Sequence, residues 1–367
     1  MIDFEIRPSS GRLPAEKRQA LVASPGFGQV FTDHMITLRW SAERGWHNGR
    51  LEPYGPFTLD PSSSVFHYGQ EIFEGMKAYR QNSGSIALFR PEANAARFNR
   101  SARRMAMPEL PEETFIQALE LLVTQDADWV PAGVGNSLYL RPLMIATQRS
   151  LGFTLPSTSY LFCVIASPVT AYFGAGNRPR ALTVWLSEVY TRAAPGGTGF
   201  AKAGGNYAGA FVAGRQATEQ GCDQVVWLDS GERTWVEEMG GMNLFFCYAP
   251  AGAQPRIMTP ALTGTLLPGV TRDSLLRLAP ELGIEAVEGR ISTGQWREQC
   301  ERGELTEAFA CGTAAVIAPV GRARGTSSEW LVGDGSAGPV TLRLRDELLG
   351  IQYGLRPDPF GWVHKVC

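Results

Sequence analysis

Apolar and polar positions along the chain switch repeatedly between the two-residue period of strands and the longer period of helices. After a polar N-terminal arm, DHMITLRW (33–40) reads as a strand, and NGRLEPYG (48–55) as a turn leading into another. PEANAARFNRSARRM (91–105) changes to helical spacing, entered through Pro91, with Asn94, Arg97 and Ser101 in register along it. EETFIQALELLVTQDADWV (112–130) predicts a second, longer amphipathic helix, and SLYLRPLMIA and SYLFCVIASPV supply further strands. The first half therefore predicts an α+β domain with a mostly antiparallel sheet. AYFGAGNRPRA (171–181), rich in Gly, Pro and polar residues, breaks the pattern. It divides the chain into residues 1–171, an interdomain loop 172–181, and residues 182–367.

In the second half, strands are predicted in TVWLSEVY, DQVVWLD, TWVEEMG, NLFFCY, EAVEGRIS and EAFACGTAAVIAPV. They alternate with helices at 207–221, 272–283 and 340–354. LDSGERTW reads as a hairpin around Asp229 to Glu232.

Composition narrows the function classes. With 367 residues, 44% hydrophobic and 19% charged, the chain has the make-up of a globular protein of two ordinary domains. A net charge of −2 leaves no electrostatic footprint for nucleic acid or anionic lipid. No apolar stretch has the length of a signal peptide or a bilayer span, so a cytoplasmic protein acting on small molecules is expected. The six cysteines are scattered without CxxC spacing, and His34, His47, His67 and His364 form no close pair, so neither zinc nor disulfides are expected.

Candidate chemistry centres on Lys202 in FAKAGGNYAGA (200–210), one of four lysines in a chain that otherwise uses arginine. Unlike arginine, lysine can lose its proton and form a Schiff base with a carbonyl cofactor. Flanking glycines suggest a loop loose enough for the amine to swing and carry a proton. A pyridoxal phosphate enzyme needs three further groups. The first is an anion beside the pyridine nitrogen: VEEMGGMN (236–243) offers Glu237 and Glu238, of which strand alternation lets one face the ring. The second is a phosphate cradle. LPGVTRDSLLRLA (267–279) places Gly269 before a helix whose first amides, with the Thr271 hydroxyl, suit an anion, and Arg97 is a candidate cation or else part of a solvated helix face. The third is a donor to the phenolic oxygen, for which Tyr207 is a candidate. FACGTAAVIAPVG (309–321) joins a strand to a turn through small residues whose amides suit a carboxylate. PGGTGFAKAGG matches neither a phosphate loop nor GxGxxG.

These strings, in their order, resemble the branched-chain amino-acid aminotransferases, of the pyridoxal phosphate fold-type IV class. The resemblance runs through FGQVFTDHM (27–35), FHYGQEIFEGMKAY (66–79), LFRPEANAARFNRSA (88–102) and SLYLRP (137–142). It continues through KAGGNYAGA, EEMGGMN, LTGTLLPGVTRDSLL (262–276), CGTAA and GIQYG (350–354). It implies a smaller N-terminal α+β domain and a larger C-terminal, barrel-like mixed domain with helices that binds pyridoxal 5'-phosphate. By resemblance Lys202 is the Schiff-base lysine and proton shuttle, Tyr207 the phenolate donor and Glu238 the pyridinium partner, with Glu237 pointing away. Arg97 resembles the phosphate-binding arginine, joined by Val270, Thr271 and Thr313. Phe27, Tyr68, Phe73, Tyr139, Arg141 and Tyr172 resemble the substrate wall, and Thr313 and Ala314 the amides that take the substrate carboxylate.

The family's pattern also implies a homodimer in which some pocket residues come from the partner, and a linker around Tyr172 that closes over the site. The implied reaction is a two-stage amino transfer from leucine, isoleucine or valine to 2-oxoglutarate, giving glutamate. A D-amino-acid aminotransferase or an aminodeoxychorismate lyase uses the same scaffold and stays open, as does a non-catalytic interaction protein. Two departures stand out. Animal relatives carry a redox-sensitive CxxC where this chain has Ala315 and Ala318, so thiol regulation is not expected, and Gly241 replaces a hydroxyl residue found in some relatives.

Overall fold

The computed structural model describes residues 2–170, 179–249 and 252–367. The chain divides into two compact units, one made of Met1–Tyr172, Ala201–Gly204 and Gly350–Cys367, the other of Phe173–Phe200 and Gly205–Leu349.

The first unit is built on a nine-stranded sheet. In spatial order its strands are Phe4–Ile6, Gly45–Pro53, His34–Ser41, Ser159–Val169, Ser137–Ala146, Met76–Arg80, Ile86–Phe89 and Val363–Lys365, with Glu71–Phe73 also paired to Ser137–Ala146. Pairing is antiparallel except between the first two strands, in line with the antiparallel expectation. Ser137–Ala146 shows why the sheet has two unlike faces. Leu138, Leu140, Met144 and Ala146 are buried, whereas Tyr139, Arg141, Leu143 and Ile145 alternate with them at half-burial. The helices Pro91–Arg104 and Glu112–Gln125 contribute to the core of this unit, where Phe98, Phe115 and Phe162 meet with ring centroids 5.4 to 6.1 Å apart. Asn99 fixes the turn between the helices through both ends of its amide, donating to the Leu110 carbonyl at 2.8 Å and accepting the Leu110 N–H at 2.9 Å.

In the second unit six strands close on themselves. Val236–Met239, Gln224–Leu228, Leu182–Ser187, Val316–Arg324, Glu307–Gly312 and Met242–Tyr248 pair in that order, and the last pairs back to the first. The ring is mixed, since Leu182–Ser187 runs parallel to both neighbours. The crossover to Gln224–Leu228 uses the helix Phe211–Glu219, whose Ala213 and Ala217 pack on Trp185, Val225 and Trp227. This barrel with helices matches the fold class that the resemblance implied.

Several local expectations are revised. EAFACGTAAVIAPV is a hairpin, Glu307–Gly312 and Val316–Arg324, rather than one strand. The helix expected over 207–221 is split into Gly205–Ala208 and Phe211–Glu219. A helix Thr293–Glu301 was not anticipated, although Ser292 and Gln295 form a reciprocal capping box at its start. Assigning all of 182–367 to one domain also fails. Val363–Lys365 completes the edge of the first sheet beside Ile86–Phe89, and Asn82 and Gln81 donate to the carbonyls of Tyr353 and Gln352. With this tail and residues 201–204 added, the first unit, expected to be the smaller, has more residues than the second.

The capping box gives a stability prediction. Ser292→Ala removes the acceptor for the Gln295 N–H, held at 3.0 Å. A loss of about 1 kcal/mol of unfolding free energy is expected in urea titration, and an unchanged midpoint would show that the cap contributes nothing.

Candidate active site

Lys202 enters the first unit on the segment Ala201–Gly204. Its backbone is held on both sides: its N–H donates to Ser101 Oγ at 2.9 Å, and its carbonyl accepts the Phe73 N–H at 3.0 Å. Ala201 and Ala203 on either side are buried. The loop backbone is thus held, which corrects the expectation that flanking glycines make it loose. The glycines serve close approach instead. A Cβ at Gly204 would lie 1.8 Å from Glu71 Oε1, and one at Gly199 would lie 2.2 Å from the Thr265 carbonyl. Thr198 and Asn206 close the base of the loop with paired hydrogen bonds at 2.7 and 2.8 Å.

Around Lys202 in the first unit stand several of the expected groups. Its Nζ lies 4.5 Å from the Phe73 ring centroid. Arg141 stacks on the same ring at 4.8 Å and donates to the Tyr139 hydroxyl at 3.1 Å, while Phe27 meets Tyr139 edge-on at 5.2 Å. The buried Arg141 Nε has no hydrogen-bond partner, and such an orphaned donor suits an incoming anion.

Arg97 lies in the core, not on a solvated helix face. It is 4% exposed and clasps the fully buried Glu74 through Nε at 2.7 Å and Nη2 at 2.8 Å. Asn94 adds a third donor to Glu74 at 2.7 Å. Burial alone would raise the Glu74 carboxyl, but the charge and hydrogen bonds of Arg97, the Lys202 charge and Asn94 together hold it below the usual range.

In the second unit the other expected groups gather at one end of the barrel. Glu237 and Glu238 are both buried rather than solvated. Glu238, 2% exposed, pairs with Arg192 Nε at 3.0 Å and accepts the Leu267 N–H at 2.6 Å and Asn243 Nδ2 at 3.1 Å. Glu237 instead takes the Thr265 hydroxyl at 2.5 Å, and burial raises its carboxyl. The two acids therefore have separate partners, as strand alternation requires.

Asn243 also donates to the Leu267 carbonyl at 3.0 Å, tying the strand turn to the loop that leads into the helix Val270–Glu281. Gly269 caps that helix, and a Cβ there would lie 2.1 Å from Asn243 Oδ1. Thr271 is buried in the first turn. A Cβ at Gly241 would meet the Tyr207 ring at 3.3 Å, so this glycine leaves room at the face of the phenol. Register places Asn243 opposite Cys311, which sets the tip Thr313–Ala314 at the same end as the Gly240–Gly241 turn.

This donor set fits pyridoxal 5'-phosphate. A charge-compensated acid, a phenol beside an open glycine and a glycine-started helix answer the pyridine nitrogen, phenolic oxygen and phosphate.

Tyr68 stands apart from Phe73 and Tyr139. It is 43% exposed, its ring lies 5.9 Å from Phe153, and its hydroxyl donates to the Leu151 carbonyl. Tyr172 lies outside the described residues. All six cysteines are free, and burial raises the Cys311 thiol. Residues not singled out from the sequence include Glu74, Arg192, Asn243 and Lys77, a buried strand lysine whose amine burial pushes down to about 8. Glu74 and Asn243 lie inside the motifs already quoted and were open to notice there, whereas nothing in the sequence around Arg192 marks it.

Comparison with known proteins gives the family. The family model "Amino-transferase class IV" matches residues 71–323. A "probable branched-chain-amino-acid aminotransferase" of Streptomyces coelicolor is 56% identical over 365 residues, covering 99% of both chains. The crystal structure of the Escherichia coli branched-chain amino acid aminotransferase superposes with a TM-score of 0.75 at 28% identity, covering 91% of this chain and 99% of the other. A branched-chain amino acid aminotransferase of T.th., solved as a complex with N-(5'-phosphopyridoxyl)-L-glutamate, gives a TM-score of 0.73 at 30% identity, covering 90% and 98%. The chain belongs to the class IV aminotransferases.

Proposed function

We infer that this enzyme moves the amino group of L-leucine, L-isoleucine or L-valine to 2-oxoglutarate, with pyridoxal 5'-phosphate as cofactor. The observation that carries the site reading is the charge held on Glu238 by Arg192, Asn243 and the Leu267 amide, at the barrel end that also carries Tyr207 and the Gly269 helix start. The full-length likeness to named branched-chain enzymes favours this substrate class over the D-amino-acid and lyase alternatives.

When bound, the cofactor supplies a carbonyl for the substrate amine and a ring that withdraws electrons from the neighbouring carbon. Lys202 supplies the amine that holds the cofactor and then moves a proton to and from the substrate α-carbon. Glu238 would hold a proton on the pyridine nitrogen, and Tyr207 would donate to the phenolic oxygen. Arg97, oriented by Glu74, and the donors of Val270, Thr271 and Thr313 would each serve the phosphate. The amides of Thr313 and Ala314 take the substrate carboxylate. Phe27, Phe73 and Tyr139 pack against the branched side chain, where each buried methylene is worth about 1 to 3 kcal/mol of discrimination. Arg141 receives the distal carboxylate of glutamate, which could not be buried unpaired without large cost. Tyr172 is proposed for the same wall.

The chain acts as a homodimer in this reading. Support comes from the exposed apolar cluster Phe66, Leu151, Phe153 and Leu155 around Tyr68, 61 to 80% exposed in a single chain. Tyr68 then contributes to the partner's pocket rather than its own. A cytoplasmic location completes the reading; no helix among the described residues is long and apolar enough to cross a membrane.

Three measurements test the proposal. Holoenzyme should change its visible absorption on adding L-leucine, and Lys202→Ala should abolish that change and lower turnover by at least about 10³-fold; undiminished turnover would remove Lys202 from the mechanism. Gly269→Ala, which forces a Cβ onto Asn243, should weaken cofactor retention by about tenfold in equilibrium dialysis, or about 1.4 kcal/mol, and unaltered retention would dissociate the cradle from the phosphate. Light scattering should return twice the chain mass of 40.0 kDa, and a monomer would contradict the dimer.

A further inference from the structure

The half-exposed face of the strand Ser137–Ala146 carries Tyr139 and Arg141, and the short strand beside it brings Phe73 and Glu71 to the same face. Phe73 pairs with Leu143 and Glu71 with Ile145, and partners in register project to the same side. One guanidinium and one carboxylate therefore share a wall that is otherwise aromatic and aliphatic. Glu71 is not spent on an ion pair with Arg141. Its carboxylate accepts the Gly204 N–H and feels Arg141 only as a nearby charge, while burial raises its carboxyl. Arg141 keeps its buried Nε without a hydrogen-bond partner.

A pocket that alternates between leucine and glutamate faces opposing demands at Arg141. With a dicarboxylate present, the guanidinium is paired. With an apolar side chain present, it is left desolvated against hydrocarbon, and an uncompensated buried charge is costly. A second, weaker counter-charge answers both states, because it offsets the cation when leucine is bound and dilutes its hold when glutamate is bound.

We propose that Glu71 is a specificity-determining residue that balances apolar against dicarboxylate substrates by partly neutralising Arg141. This rests on the reading of Arg141 as the receiver of the distal carboxylate. Glu71 also fastens the Lys202 segment through Gly204, so the test must separate charge from anchoring. Glu71→Gln does so, since the amide keeps a carbonyl oxygen for the Gly204 N–H and loses only the charge.

The experiment compares the binding of glutarate and 4-methylvalerate to holoenzyme by calorimetry, alongside KM for 2-oxoglutarate and for L-leucine. In Glu71→Gln the ratio of dissociation constants should shift about tenfold towards glutarate, or about 1.4 kcal/mol, with KM for 2-oxoglutarate falling in parallel. In an Arg141→Met background the same substitution should leave the ratio unmoved. Equal changes for both probes, or the same shift without Arg141, would overturn the proposal. If the wild type fails to pass the amino group of L-leucine to 2-oxoglutarate, the functional reading itself falls; if it does so and the ratio stays put, only the role of Glu71 falls.

Discussion

A carboxylate paired with an arginine inside a barrel wall organises the second unit. At 2% exposure Glu238 has almost no water to solvate it, so its charge depends on Arg192, the Asn243 amide and the Leu267 N–H. Each partner in turn fixes something else. Arg192 also donates to the carbonyls of Gly199 and Thr265. Asn243 holds the Leu267 carbonyl and presses its oxygen against Gly269, so the hydrogen bonds that stabilise the acid also set where the helix Val270–Glu281 begins. A buried carboxylate and a helix start are thereby spaced by one side chain.

The first unit applies the same logic to a cation. Ser101 and Phe73 hold the Lys202 backbone, while Glu74 orients Arg97 on the neighbouring helix. Ser101 also donates to the Arg97 carbonyl, so one hydroxyl links the helix that carries the arginine to the segment that carries the lysine. A backbone held on both sides fixes where the Lys202 side chain starts.

Much of this is legible in the sequence. The strand Ser137–Ala146 and the helix Glu112–Gln125 follow from periodicity, because each buries one apolar face, and Ser159–Val169 follows from its nearly unbroken apolar run. The site motifs were legible because glycine clusters around a lone lysine, and adjacent acids before glycines, are uncommon patterns. Closure of the barrel was not, since the pairing of Val236–Met239 with both Gln224–Leu228 and Met242–Tyr248 depends on bend and register that no local pattern encodes. The return of residues 350–367 to the first unit was equally hidden, as three residues of strand are too few to carry a period. Glu74 shows a third limit: its partner, Arg97, lies 23 positions away, and only folding brings the two together.

The late strand Val363–Lys365 bears on synthesis. Its partner Ile86–Phe89 is wholly buried in the finished sheet, yet it emerges from the ribosome some 270 residues earlier. Throughout translation this apolar edge therefore lacks its native neighbour, the kind of exposed edge that invites pairing with other nascent chains. Loss of this strand would spare Lys202, Arg97 and Glu238 and still leave the sheet unsealed.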